Sequence, residues 1–370
     1  VYAERLNRLQ AQLQASKVDC LALVPGANML YMTGIDFHLM ERPTVAFIPA
    51  LGMPVFVLPS FEVTKLEENH PFDFGSYSYT DAKGPKKAFK QAINALPVLR
   101  KLAVEHLSMR VLELRLIQRY AESVKMKNAD PFMSTLRRVK DAAEVEAMRA
   151  AIKIAEDVLQ EVIADLRPGM TERQVASRLK TGLIEAGGGA EPFEPIVLSG
   201  PRTALPHGVP SDAEVQAAQP LLIDYGTRSE GYVSDITRTF FVGGPADGKY
   251  REVYEVVKEA NAAGRSAARP GITPHAVDQA ARQVIESAGY GEYFTHRTGH
   301  GIGLDAHEDP YIVEGNLAEL EVGNTFTVEP GIYIPGEFGV RIEDDMVITP
   351  DGAESLTTFD RELITVDFKE

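Results

Sequence analysis

The chain is poor in cysteine, in positive charge and in long apolar runs, and each shortage removes a class of function. Its single cysteine, Cys20 in the run CLALVP, rules out an internal disulfide framework and any cysteine-rich zinc site, and it fits a reducing cytoplasm. Thirty-eight Lys and Arg stand against 53 Asp and Glu, a formal net charge of −15, which argues against a general nucleic-acid binder or a binder of anionic membranes. No stretch approaches the roughly 18 apolar residues needed to span a bilayer. The opening VYAERLNRLQ has no basic segment followed by an apolar one, so a soluble, cytoplasmic chain is expected.

What is present suffices for two hydrophobic cores: 370 residues, 44% of them hydrophobic, against a usual domain size of about 150. Leu6, Leu9 and Leu13 mark an N-terminal amphipathic helix, followed by β-rich runs at Cys20 to Val24, Thr44 to Ile48 and Val55 to Leu58. Helical and strand patterns then alternate, giving an α/β domain over residues 1–130. His38, His70 and His106 are scattered through it and read as surface or hydrogen-bonded histidines. Punctuation at Asn128 to Pro131 opens a second domain, 131–370. It starts with a long helix whose apolar face is Val145, Met148, Ile152, Ala155, Leu159, Val162 and Leu166 and which stops at Arg167-Pro168-Gly169. Thr171 and Gln174 form a capping-box pattern for the next helix.

That second domain looks duplicated. RPGMT with Val175 and Ala186-Gly187 recurs as RPGIT with Val277 and Ala288-Gly289, at a constant offset of 102 residues. LLIDYG (221–226) parallels TFTVEPG (325–331), and GYVSD (231–235) parallels GVRIE (339–343). Two helix-helix-hairpin halves facing each other across a pseudo-two-fold axis are expected.

Each half carries two acids on apolar strand patterns, Asp224 and Asp235 in the first, Glu329 and Glu343 in the second. Any one of them alone could be an ordinary strand-end acid. Four carboxylates gathered in a poorly solvated place would repel one another, and two divalent cations would cancel their charge. Asp345 alternates onto the same strand face as Glu343, and Glu343 is preferred because it aligns with Asp235. His300, in the glycine-rich HRTGHGIG, is the fifth candidate. Four oxygen ligands and one imidazole suit Mn, Co, Zn or Fe better than Ca or Mg, and a two-metal site activates water and polarises a carbonyl or phosphoryl oxygen. His207 in LPHGVP and His307 in LDAHEDP are candidates to orient substrate or stabilise an oxyanion. His275 and His296 read as turn histidines.

LLIDYG, SDITRTF, HRTGHGIGLDAHE, TVEPGIY and GVRIEDD together resemble the pita-bread metallopeptidases of the creatinase, prolidase and aminopeptidase P group, and NMLYMTG (28–34) resembles their N-terminal domain. The resemblance implies an α/β N-terminal domain followed by an α+β pita-bread catalytic domain, and a homodimer. It implies that His300, Glu329, Asp235 and Glu343 hold one metal and Asp224, Asp235 and Glu343 the other, manganese first among the candidates. It further implies that a bridging hydroxide attacks the scissile carbonyl, that Glu329 shuttles the proton, that His207 and His307 position substrate, and that Arg341 pins a ligand carboxylate. The implied substrates are short peptides with proline second: dipeptides for a prolidase, longer peptides for an aminopeptidase P.

A dipeptidase needs a cation for the free proline carboxylate. Many prolidases look to carry one between the segments matching His307 and Glu329, yet 308–328 contain no Lys or Arg. Arg42 in FHLMERP and Arg202 in SGPRTALPHG are the substitutes considered, and the dipeptidase is preferred. Two further readings share the scaffold: a metal-dependent lyase or amidohydrolase for a small non-peptide compound, and a non-catalytic binding module.

Overall fold

The computed structural model describes all residues except His70, Asp247 and Glu370, and the sequence's reading of His70 therefore lies outside the described residues. The chain divides into two compact units, Val1–Arg137 and Arg138–Glu370. No helix among the described residues is long and apolar enough to cross a membrane.

The first unit is a mixed six-stranded sheet flanked by helices. Its central strand, Cys20–Leu23, pairs antiparallel with Val45–Pro49 and parallel with Lys101–Val104. Val55–Pro59 and Gly75–Tyr79 extend one side, Lys125–Asn128 the other. The inner strands are buried on both faces, which is why they read as continuous apolar runs and not as alternation. Leu6, Leu9 and Leu13 are the buried face of the helix Tyr2–Ala15. The helix Asp130–Arg137 packs against it, so this unit ends beyond the Asn128–Pro131 punctuation.

The second unit is built twice from one plan. The helices Ala142–Ala164 and Glu172–Glu185 precede the antiparallel strands Gln219–Tyr225 and Ile236–Val242. The helices Gly248–Ala267 and Pro274–Ser287 precede the antiparallel strands Thr325–Val328 and Asp344–Thr349. Within each strand pair a small hairpin is inserted: Arg228–Ser229 with Tyr232–Val233 in the first half, Gly331–Ile334 with Phe338–Arg341 in the second. The repeated punctuation has a repeated geometry. Thr171 and Thr273 accept the N–H of Gln174 and Ala276 as N-caps. Gly169 and Gly271 ahead of them both adopt φ of 78°, a left-handed turn that a side chain would strain. Met148, Ile152, Ala155, Leu159, Val162 and Leu166 of the predicted stripe are buried, and the last four pack over the first half's strands.

Candidate active site

Each half delivers its two acids to the ends of its paired strands. Asp224 lies near the end of Gln219–Tyr225, and Asp235 just before Ile236–Val242. Glu329 directly follows Thr325–Val328, and Glu343 directly precedes Asp344–Thr349. The halves are stitched together at this level: Glu343 N–H donates to the Thr237 carbonyl at 3.1 Å, and Arg341 N–H to Thr239 Oγ1 at 3.1 Å. All four acids line one cavity of about 680 Å³, with His207, His296, Arg297, His300, His307 and Arg341. That volume lies in the usual range for small-molecule sites.

His300 rides on the short strand Gly299–Gly301, which passes so close to its neighbours that a Cβ on Gly299 would overlap the Thr327 carbonyl oxygen. Its Nδ1 lies 3.1 Å from the Gly301 carbonyl oxygen and donates to it, leaving the Nε2 lone pair free. Nε2 stands 3.4 Å from Glu329 Oε1 and 3.8 Å from Asp235 Oδ2. One ligand atom each of Asp235, His300 and Glu343 lie within 4.8 Å of one another. Asp345 supports the site from behind, its Oδ2 accepting the Asp235 backbone N–H at 3.0 Å.

The neighbours of these side chains hold them in place. Arg341 donates through its terminal nitrogens to Asp224 Oδ2 and to the Tyr333 hydroxyl, and through Nε to Thr237 Oγ1 at 3.1 Å; Thr237 in turn donates to Glu343 Oε2 at 2.6 Å. Behind the cavity, buried Arg238 donates to the Glu343 carbonyl and to Asp344, and Asn261 donates to the carbonyls of Val328 and Ile342. The Asp344 carboxyl, which burial alone would raise, is held low by Arg238 and Arg361.

Burial, followed by the charges of Glu343 and Asp224, pushes the Asp235 carboxyl well above the carboxylate range. Burial with Glu329 and Asp224 does the same to Glu343, and burial lifts Glu329 to about 8. Burial and then His307 drive the His300 imidazolium form well down. Asp224 Oδ1 and Asp235 Oδ1 are buried without a hydrogen-bond partner among the described residues. Neutral imidazole, clustered acids that resist ionising together, and orphaned carboxylate oxygens are the donor set of a divalent transition-metal site.

Other side chains fall differently from the sequence reading. Arg202 is engaged within the fold, its Nε donating to both oxygens of buried Glu172 at 3.0 Å. Glu172 also accepts from Ser199 and Ser211, so this pair fastens the loop that carries His207. Arg42, in the first unit, is likewise committed, forked onto Asp81 at 2.8 and 2.9 Å and bonded to Glu41. His275 is not a turn histidine: it stands in the first turn of the helix Pro274–Ser287, where its Nδ1 accepts from Gly315 N–H.

His296 is not a plain turn histidine, for it lines the cavity. Its Nδ1–H donates to the Arg297 carbonyl at 2.7 Å and its Nε2 accepts from the Tyr333 hydroxyl at 2.8 Å, with burial holding its pKa near 3. Its position four residues before His300 was a signal, but Tyr333 comes from another hairpin and gave none.

Residues 146–350 match the model of metallopeptidase family M24, and residues 5–139 that of the creatinase/prolidase N-terminal domain. The chain is 37% identical over 369 residues to the "Probable dipeptidase PepE" of Mycobacterium tuberculosis, covering 99% of this chain and 97% of that protein. Among solved structures it is similar to a recombinant prolidase from Thermococcus sibiricus, with a TM-score of 0.93, 36% identity and 99% of both chains covered. It is also similar to dipeptidase PepE from Mycobacterium ulcerans, with a TM-score of 0.91, 38% identity, and 99% and 98% of the two chains covered.

Proposed function

The chain belongs to metallopeptidase family M24, joined to a creatinase/prolidase N-terminal domain, and from that premise we propose that it is an Xaa-Pro dipeptidase working with two divalent cations, manganese first among them. The observation that carries this reading is the convergence of Asp224, Asp235, His300, Glu329 and Glu343 on one cavity. In this reading His300, Glu329, Asp235 and Glu343 hold one cation, and Asp224, Asp235 and Glu343 the other. Bound there, the cations supply Lewis acidity that acidifies a water and polarises a carbonyl.

The chain's own residues supply the rest. The Nδ1–H bond of His300 to Gly301 keeps its Nε2 aimed at the acids, while Arg341 and Thr237 fix the carboxylates of Asp224 and Glu343. Glu329 takes a proton from the attacking water and passes it to the proline nitrogen as the C–N bond breaks, leaving a carboxylic acid and a secondary amine. His207 and His307, on the cavity wall, donate to the carbonyl oxygen as negative charge develops on it. Proline's tertiary amide has no N–H, so general peptidases that require that donor handle this bond poorly. A homodimer and a cytoplasmic setting belong to the same reading and rest on the family resemblance.

Chelator-stripped protein, assayed with and without Mn²⁺ on Ala-Pro and Ala-Pro-Ala, tests the proposal. Metal-dependent cleavage favouring Ala-Pro is the expected result. Preference for the tripeptide would move the chain to the aminopeptidase P reading, and inactivity on both would reject an Xaa-Pro peptidase in favour of the non-peptide or non-catalytic readings.

A further inference from the structure

Two arginines line the cavity, and they differ in how they are used. Arg341 is consumed by Thr237, Tyr333 and Asp224. Arg297 is not: among the described residues its guanidinium has no hydrogen-bond or ion-pair partner, and its contact is a stack, the guanidinium carbon 4.6 Å from the centre of the Tyr311 ring.

The backbone explains the placement. Thr298 N–H donates to the Ile312 carbonyl at 3.1 Å, and Gly299 pairs with Ile312, so Arg297 runs beside the strand that carries Tyr311. His296 holds the Arg297 carbonyl. A ring stack occupies the flat face of a guanidinium and leaves its N–H groups, which lie in the plane, free at the edge. It also quiets a long side chain before any ligand arrives, and a planar fork matches a carboxylate's two oxygens.

Tyr311 belongs to 308–328, the segment without Lys or Arg. The stack therefore brings a cation to a segment that has none of its own. Building on the Xaa-Pro reading, we propose that Arg297, braced on Tyr311, is the specificity-determining residue that binds the free carboxylate of the dipeptide's proline.

The test compares wild type, R297Q and R297K, each loaded with Mn²⁺ and checked for metal content and melting temperature, on Ala-Pro and on Ala-Pro-amide, which lacks the carboxylate. Inhibition by free proline is measured alongside. For R297Q the preference for Ala-Pro over the amide falls about 10- to 100-fold, mainly through KM, as expected for a lost charge-assisted hydrogen-bond pair. Proline inhibition weakens in step, and R297K lies between, keeping the charge without the fork. Should R297Q fold poorly, the KM shift of R297K decides. Unchanged KM and unchanged proline inhibition, with wild type active on Ala-Pro, would overturn the role of Arg297 alone. A wild type that prefers the amide would do the same, whereas a wild type inactive on both substrates would remove the Xaa-Pro reading and this one with it.

Discussion

Glu105 is the buried acid of the first unit whose titration bears on stability. It follows the strand Lys101–Val104, accepts Val24 N–H at 2.6 Å and Asn28 Nδ2 at 2.7 Å, and is lifted by burial from 4.5 to about 7. A folded-state pKa above the unfolded one means that the protonated acid favours folding. That stability is full below about pH 4.5 and is lost as pH rises through about 7, on the order of 3 kcal/mol across the window. Hydrogen-exchange protection of the strand Cys20–Leu23, corrected for intrinsic rates, should therefore fall between pH 5 and 8 in the wild type and stay level in E105Q; equal slopes in both would refute the assignment. The acids of the cavity were legible in the sequence because carboxylates on apolar strands demand an explanation. The stack of Arg297 on Tyr311 and the hydrogen bond of His296 to Tyr333 were not, because the two tyrosines reach them from strands whose pairing is a property of the fold.

Local geometry explains which elements could be read in advance. The N-caps Thr171 and Thr273 and the helix-ending turns at Gly187 and Gly289, with φ of 83° and 85°, are decided within a few residues, so their repetition in the sequence is repetition in space. The small hairpins were less legible. GYVSD reads as one strand, but only Tyr232–Val233 is extended in a ladder, and Ser234 and Asp235 link it to Ile236–Val242. The strand Gly299–Gly301 is the tightest element of the site, crowded by the backbone of Thr327 on one side and Asp309 on the other. Gly299→Ala should lower stability by about 1–3 kcal/mol and weaken Mn²⁺ binding, because relief of the overlap displaces His300. A melting curve and a metal titration check this, and unaltered values in both would show that the strand yields freely.

For the molecule as a whole, the raised carboxyls near His300 make cation loading a proton exchange. Groups that hold protons near neutrality must release them when a cation arrives, so apparent Mn²⁺ affinity should rise from pH 6 to pH 8. Calorimetry in two buffers of different ionisation enthalpy should give different apparent heats at pH 7; identical heats would contradict the raised values. A cation at a hundred times its dissociation constant would add about 2.7 kcal/mol to folding stability. The proposed donors are divided between the halves, Asp224 and Asp235 from one, His300, Glu329 and Glu343 from the other, and the hydrogen bonds between Glu343 and Thr237 close the seam. An interrupted copy of this chain, ending anywhere before Glu343, lacks a full set of donors however well its first half folds. On the two-cation reading proposed above, hydrolytic competence is thus deferred until synthesis of this second half is nearly complete.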